Sequence, residues 1–143
     1  MICVDSNIAI KWLVPEEHSD RARALLDAAL SGQEAIVAPP LLPVEVSNAL
    51  RQRLRSQIMT LEEALDFLRQ FSRFPVTLVS PAQLHERALR LAHQFGLPAV
   101  YDAHYLAIAD IFRCEMWTDD QRLLRGLRGR FPFARWIGEF AGS

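Results

Sequence analysis

Four carboxylates stand at positions where an α/β chain could gather them: Asp5, Glu45, Asp102 and Asp120, with Asp119 beside the last. The apolar run 2–4 stops at Asp5, and the apolar run 114–117 stops at Thr118-Asp119-Asp120. Glu45 and Asp102 fall in the first turns of two apolar-striped helical segments. Strand ends and helix starts share one edge of a parallel sheet, and sites in open α/β sheets form outside the carboxyl ends of the strands. Carboxylates crowded there repel one another and raise each other's pKa. A cation relieves that stress, and carboxylate oxygen is the donor that Mg²⁺ and Mn²⁺ prefer. One or two such ions can activate water and stabilise charge on an attacked phosphate and its leaving oxygen, which is the chemistry of phosphodiester cleavage. Taken singly, each acid has an ordinary explanation as a helix cap or dipole partner. Four placements at one edge point instead to a cation site, without naming the reaction.

The elements that must position these acids alternate between strand and helix. Strands are predicted at 2–4, 35–38, 76–79 and 114–117, with a fifth at 134–137. A short helix is expected over 7–13, broken by Pro15. A longer one is capped by Ser19, carries Ala22, Leu25, Leu26 and Ala29 on one face, and ends before Gly32. A third helix starts at Leu42 with Pro43 in its first turn. Thr60 and Glu63 form a capping-box pattern for a fourth. Ser80-Pro81 opens a fifth, which Gly96 ends. Asp102 opens a sixth, apolar enough to be largely buried, and 121–127 is a seventh that frays in the Arg-rich stretch 125–130. This alternation predicts a three-layer α/β/α domain with a parallel sheet of four or five short strands. Short loops, with no repeat or linker, predict one domain over 1–143.

Composition narrows the function classes. The chain has 143 residues, half of them hydrophobic, so it can bury a core without disulfides or structural metal. A formal charge of −1 gives no global excess for nucleic acid, although local charge decides RNA binding. Lys11 is the only lysine; every other basic side chain of the Lys/Arg type is arginine, the residue suited to forked phosphate contacts. Codon bias in a GC-rich genome explains the same skew. Cys3 and Cys114 lack a second ligand at zinc-site spacing and read as buried, reduced thiols. No leader pattern or membrane-length apolar run is visible, so a cytoplasmic protein is expected.

The segments Val4-Asp5-Ser6-Asn7, Val44-Glu45-Val46, Tyr101-Asp102-Ala103-His104-Tyr105-Leu106-Ala107 and Trp117-Thr118-Asp119-Asp120-Gln121-Arg122-Leu123 resemble, in order and spacing, PIN-domain ribonucleases of the VapC toxin type. Each motif is short, and their combination over essentially the whole chain is specific. The resemblance implies a PIN-like fold and Mg²⁺- or Mn²⁺-dependent endoribonuclease activity. It also implies dimerisation and inhibition by a VapB-like antitoxin. Asp5, Glu45 and Asp102 match the first three family acids. The family's Thr-x-Asp pattern makes Asp120 the fourth and puts Asp119 at the variable position, supporting the site or capping the next helix. Asn7 and Thr118 match supporting polar positions.

The remaining polar residues divide less sharply. His104 lies two residues from Asp102, on another helix face. Arg51, Arg53 and Arg55, and Arg122, Arg125, Arg128 and Arg130, either border the acids and hold RNA phosphates or form solvated faces. Trp12 and Leu13 belong to an antitoxin groove or to the core. Phe131, Phe133 and Trp136 belong to the core or to a dimer contact. A phosphoacceptor signalling domain would need a lysine after a late strand, and Lys11 precedes them all. A phosphohydrolase of the Asp-x-Asp type fails at Asp5-Ser6-Asn7. A catalytically silent binding module would be expected to lose acids, and all four are present.

Overall fold

A computed structural model describes residues 1–142; Ser143, the last residue of the expected span, lies outside them. Five strands form one sheet: β1 (Ile2–Val4), β2 (Ile36–Ala38), β3 (Val76–Leu78), β4 (Glu115–Thr118) and β5 (Ala134–Trp136). Their order is β3-β2-β1-β4-β5, and every pairing is parallel. The register sets Cys3 beside Val37 on one side and Met116 on the other. From β1 the chain builds outward to β2 and β3, then returns to add β4 and β5 on the opposite side. The switch point of the sheet therefore lies between β1 and β4.

Seven helices flank the sheet: α1 (Ser6–Leu13), α2 (Ser19–Ser31), α3 (Leu42–Arg55), α4 (Leu61–Phe71), α5 (Leu84–Gln94), α6 (Tyr101–Phe112) and α7 (Gln121–Leu127). Every residue of β1 and β2 is buried, as are three of four in β4. Successive strand residues face opposite sides, so both faces of the central sheet are covered. The edge strand β3 is partly open instead. Helix α6 is buried along Ala103 and from Tyr105 to Ala109, as its apolar composition requires. It packs along α5, while α1 contacts α2, α3 and α4.

Local signals acted mostly as the sequence implies. Thr60 accepts from the Glu63 amide at 3.2 Å, and Glu63 Oε1 accepts from the Thr60 amide at 3.0 Å, completing the capping box of α4. Gly96 takes φ +62° just beyond α5, a left-handed conformation that glycine adopts without steric cost. Ser19 differs from expectation. It is the first residue of α2, and the cap is His18 at φ 66° with no side-chain capping bond. The Ser19 hydroxyl accepts from the Glu16 amide and donates to the Val14 carbonyl, so it closes the preceding turn instead. The fifth helix begins at Leu84, after a turn, rather than at Ser80-Pro81. Cys114 sits just before β4, not within it; both thiols are buried and free.

Trp12 and Leu13 are core residues. The Trp12 indole donates to the Ala22 carbonyl at 2.9 Å and packs against Phe74. Phe131 is buried and stacks edge-on with Phe95 and Phe133. No helix among the described residues is long and apolar enough to cross a membrane.

Candidate active site

Asp5 follows the central strand directly, and its backbone amide donates to the Trp117 carbonyl of β4 at 3.1 Å. Its side chain is only 2% exposed, so burial decides its chemistry. One carboxylate oxygen accepts from the Ser6 amide at 2.6 Å, which caps α1. The other accepts from Thr118 Oγ1 at 2.9 Å and Asn7 Nδ2 at 3.1 Å. These donors favour the charged form, yet they lose to two opposing effects. Burial, and next the neighbouring charge of Asp102 with a contribution from Glu45, push the Asp5 carboxyl up to about 7.

Asp102, in the first turn of α6, is raised as well, by burial and then by the charges of Asp120 and Glu45. Asp5, Glu45, Asp102 and Asp120 are thus electrostatically one group drawn from the ends of β1 and β4 and the starts of α3 and α6. Among the described residues, no three carboxylate, imidazole or thiolate groups are already converged as a metal-holding set. Three of the four acids have hydrogen-bond partners within the protein. Both Asp5 oxygens face hydrogen-bond donors, Glu45 Oε1 accepts from Tyr105, and Asp120 Oδ1 accepts from the Leu123 amide at 3.0 Å to cap α7. Hard oxygen donors whose charges stress one another match the chemistry that Mg²⁺ or Mn²⁺ selects.

Thr118 and Asn7 do what polar support residues do. Thr118 is fully buried; its hydroxyl donates to Asp5 and accepts from the Asp120 amide at 3.0 Å. Asn7 spends its amide group on Asp5 and, at 3.3 Å, on Thr118, and its carbonyl accepts from the Asp119 amide at 2.9 Å. Strands β1 and β4 are therefore tied together across the switch point.

Asp119 turns away from this group. Its carboxylate accepts from the Trp136 indole at 2.8 Å and His18 Nδ1 at 3.2 Å, and pairs with Lys11 at 3.2 Å. Burial alone would raise its carboxyl, but the bonds from Trp136, His18 and Lys11 outweigh that and hold it below the ordinary range. It does not cap α7; Asp120 does. The lone lysine is consumed here, bonded to Glu16 at 3.0 Å and to Asp119, so Lys11 leaves no free cation for a phosphoacceptor site. Gly138 is required beside this knot, because a Cβ there would collide with the Trp136 ring.

Tyr105 is the functional candidate that the sequence least announces. Its ring is fully buried and its hydroxyl donates to Glu45 Oε1 at 2.5 Å. Burial, followed by the charges of Asp5 and Glu45, drives its phenol far above the ordinary value, so it stays a donor. The available signal is spacing: Tyr105 lies three residues beyond Asp102, on the same face of α6. Of the arginines, Arg53 is committed to Glu16 at 2.7 Å and to the Ala49 carbonyl. Arg51, Arg55, Arg122, Arg125, Arg128 and Arg130 are exposed.

A family model described as the PIN domain matches residues 2–126. The chain belongs to the PIN-domain family. It is 28% identical over 123 residues to the VapC ribonuclease Mb0985 of Mycobacterium bovis, covering 86% of this chain and 88% of that protein. The ribonuclease VapC9 of Mycobacterium tuberculosis matches at the same identity and coverage. Among solved structures, the crystal structure of PAE2754 from Pyrobaculum aerophilum superposes with a TM-score of 0.68 at 25% identity, over 96% of this chain and 83% of that one. The parallel five-stranded sheet with flanking helices is thus the PIN fold, and the matched span includes all four acids, Asn7, Thr118 and Asp119.

Proposed function

We propose that this PIN-domain protein is a metal-dependent endoribonuclease acting as the toxin of a toxin–antitoxin pair, as one domain in the cytoplasm. The observation that carries the reading is Asp5: a carboxyl at the end of the central strand, pushed up to about 7 by burial first and then by the charges of Asp102 and Glu45. Such a group is costly to a fold and useful to a cation site. The names of the VapC relatives support ribonuclease chemistry and a VapB-like antitoxin as partner.

In this reading Asp5, Asp102 and Asp120 hold Mg²⁺ or Mn²⁺, directly or through water, and Glu45 either joins them or orients the attacking water. The bound ion supplies charge neutralisation at the phosphate and a more acidic water. Thr118, Asn7 and the Ser6 amide keep Asp5 in place. Tyr105 holds one oxygen of Glu45, which leaves Oε2 to take a hydrogen bond from the incoming water. Attack is in line at phosphorus; the bond to the 3′ oxygen breaks, that oxygen takes a proton, and the products carry 5′-phosphate and 3′-hydroxyl. Exposed arginines beyond Glu45 and Asp120 bind flanking phosphates. A second copy of the chain and the antitoxin complete the assembly.

The test is cleavage-site mapping on total RNA with Mg²⁺ or Mn²⁺, with EDTA and Asp5→Asn as controls. Wild type should cut, and both controls should not. Cutting by Asp5→Asn at the wild-type rate, or undiminished cutting in EDTA, overturns the assignment.

A further inference from the structure

Beside the acids, over the carboxyl ends of β2 and β3, lies an open pocket of about 380 Å³. That is near the small end of ligand pockets, which span roughly 300–1,000 Å³. Its walls are apolar: the segment 39–41 after β2, Leu84 of α5 and Val100 before α6. Four other lining groups are not, Ser80 after β3 among them. Tyr101 is 60% exposed at the start of α6, next in sequence to Asp102. His104 and His85 also line the pocket, with His85 Nδ1 and His104 Nε2 2.9 Å apart.

The Val100 carbonyl fixes one proton of the histidine pair. His104 Nδ1 lies 2.7 Å from the Val100 carbonyl, which can only accept, so that nitrogen carries the hydrogen. With both rings neutral, His104 Nε2 is then an acceptor, and His85 Nδ1 donates to it. His85 Nε2 is left as an acceptor with no hydrogen bond from the described residues.

The geometry points to a base-binding subsite: one unstacked base of the RNA, next to the cleaved phosphodiester, sits in this pocket. This rests on the ribonuclease reading. Helix α6 frames the pocket and carries Asp102, and the β2–α3 connection that forms another wall leads directly into the first turn of α3, which carries Glu45, so a strand laid across the acids reaches the pocket without leaving the sheet edge. Sequence-specific RNA readers stack splayed bases on aromatic rings and read their edges by hydrogen bonds. Tyr101 supplies the ring. The acceptor on His85 favours bases with an exocyclic amino donor, adenine, cytosine or guanine, over uracil, whose one donor, the imino N–H, is recessed between two carbonyl oxygens that would face the same acceptor.

The experiment has two arms. Cleavage of a randomised RNA pool is sequenced for wild type, Tyr101→Ala, Tyr101→Phe and His85→Leu. Binding of labelled single-stranded RNA tetramers, differing in one base, is measured by anisotropy in EDTA, where no cutting occurs. Wild type should prefer an amino-bearing base at one position beside the cut. Tyr101→Ala should weaken tetramer binding roughly fivefold to a hundredfold, as loss of one stacked base does. Tyr101→Phe should restore it, and His85→Leu should flatten the preference. Both side chains are exposed, so neither change threatens the fold. If wild type cuts without base preference, or Tyr101→Ala changes neither preference nor affinity, the subsite is overturned and the ribonuclease reading stands. If wild type neither cuts nor binds RNA, both fall. A preference for uracil overturns the role of His85.

Discussion

Replacing Asp5 with Asn should make the metal-free protein more stable at pH 8 and less stable at pH 3.5. The carboxyl moves from an ordinary 3.8 in the unfolded chain to about 7 in the folded one. At about 1.4 kcal/mol per tenfold change in proton affinity, ionising it in the fold withholds about 4 kcal/mol. The sign follows from proton binding. Between about pH 4 and 7 the folded state holds the proton more tightly than the unfolded state. Its contribution is therefore complete below about 4 and is lost as pH rises through about 7. Asn removes the charge but also alters the hydrogen bonds. Its oxygen can still accept from the Ser6 amide, while its NH₂ then faces Asn7 Nδ2 and Thr118 Oγ1, both donors to Asp5 in the wild type. Losing one or two such bonds in a buried place costs about 1–3 kcal/mol. The net at pH 8 is a gain of about 1–3 kcal/mol, or roughly 3–10 °C in Tm for a chain of this size. At pH 3.5, below both values, the carboxyl is mostly protonated in the folded and the unfolded wild type, and only the hydrogen-bond loss remains. Thermal melts by circular dichroism in EDTA across this range read both signs. Added Mg²⁺ or Mn²⁺ should then raise the wild-type Tm at pH 8, and raise that of the variant much less. A variant destabilised equally at pH 3.5 and pH 8 would refute the charge stress at Asp5, and with it the electrostatic case for a cation site.

Tyr105→Phe deletes the hydroxyl that donates to Glu45 and leaves the buried ring; kcat should fall about tenfold to a hundredfold with KM nearly unchanged, and steady-state kinetics with unchanged kcat would count against a role for Tyr105 in orienting Glu45. Asp119→Asn should cost about 1–3 kcal/mol of stability at pH 7, because Lys11 and His18 lose a charged partner, yet it should keep cleavage; Asp120→Asn should lose cleavage and stay folded, since Asn still caps α7. Equal loss of activity in the two would contradict the division between them. The Asp119 contribution, from a carboxyl held below its ordinary range, should be present above about pH 4 and fade as pH falls, opposite to Asp5, as melts of the Asp119→Asn variant against wild type will register. Thr60→Ala breaks the capping box of α4 and should lower stability by about 1 kcal/mol in urea unfolding without changing cleavage.

The placement of the four acids at strand ends and helix starts was readable from sequence because sheet topology made it so. A run that leaves the core at Asp5, a second that leaves it at Thr118-Asp119-Asp120, and two acids in helix first turns are local signals with one spatial meaning in a parallel sheet. Periodicity also sufficed for the helix faces of α2 and α3 and for the burial of α6, since each depends on neighbours three and four residues away. What stayed hidden depends on partners distant along the chain. Nothing near Glu45 announces that Tyr105, 60 residues on, will donate to it, and nothing near Lys11 announces Asp119. The two adjacent aspartates make the point most sharply. In sequence only motif register separates them. In the fold, the left-handed turn at His18, the indole of Trp136 and the buried Lys11 together draw Asp119 to the far side of the strand end, and Asp120 is left to cap α7 and to face Asp102. Asp119 acts on the acids only through its backbone amide, which donates to Asn7, and Asn7 in turn donates to Asp5. One aspartate thus fixes the frame and its neighbour joins the acids, a division set by three side chains that no local pattern around residues 119 and 120 contains.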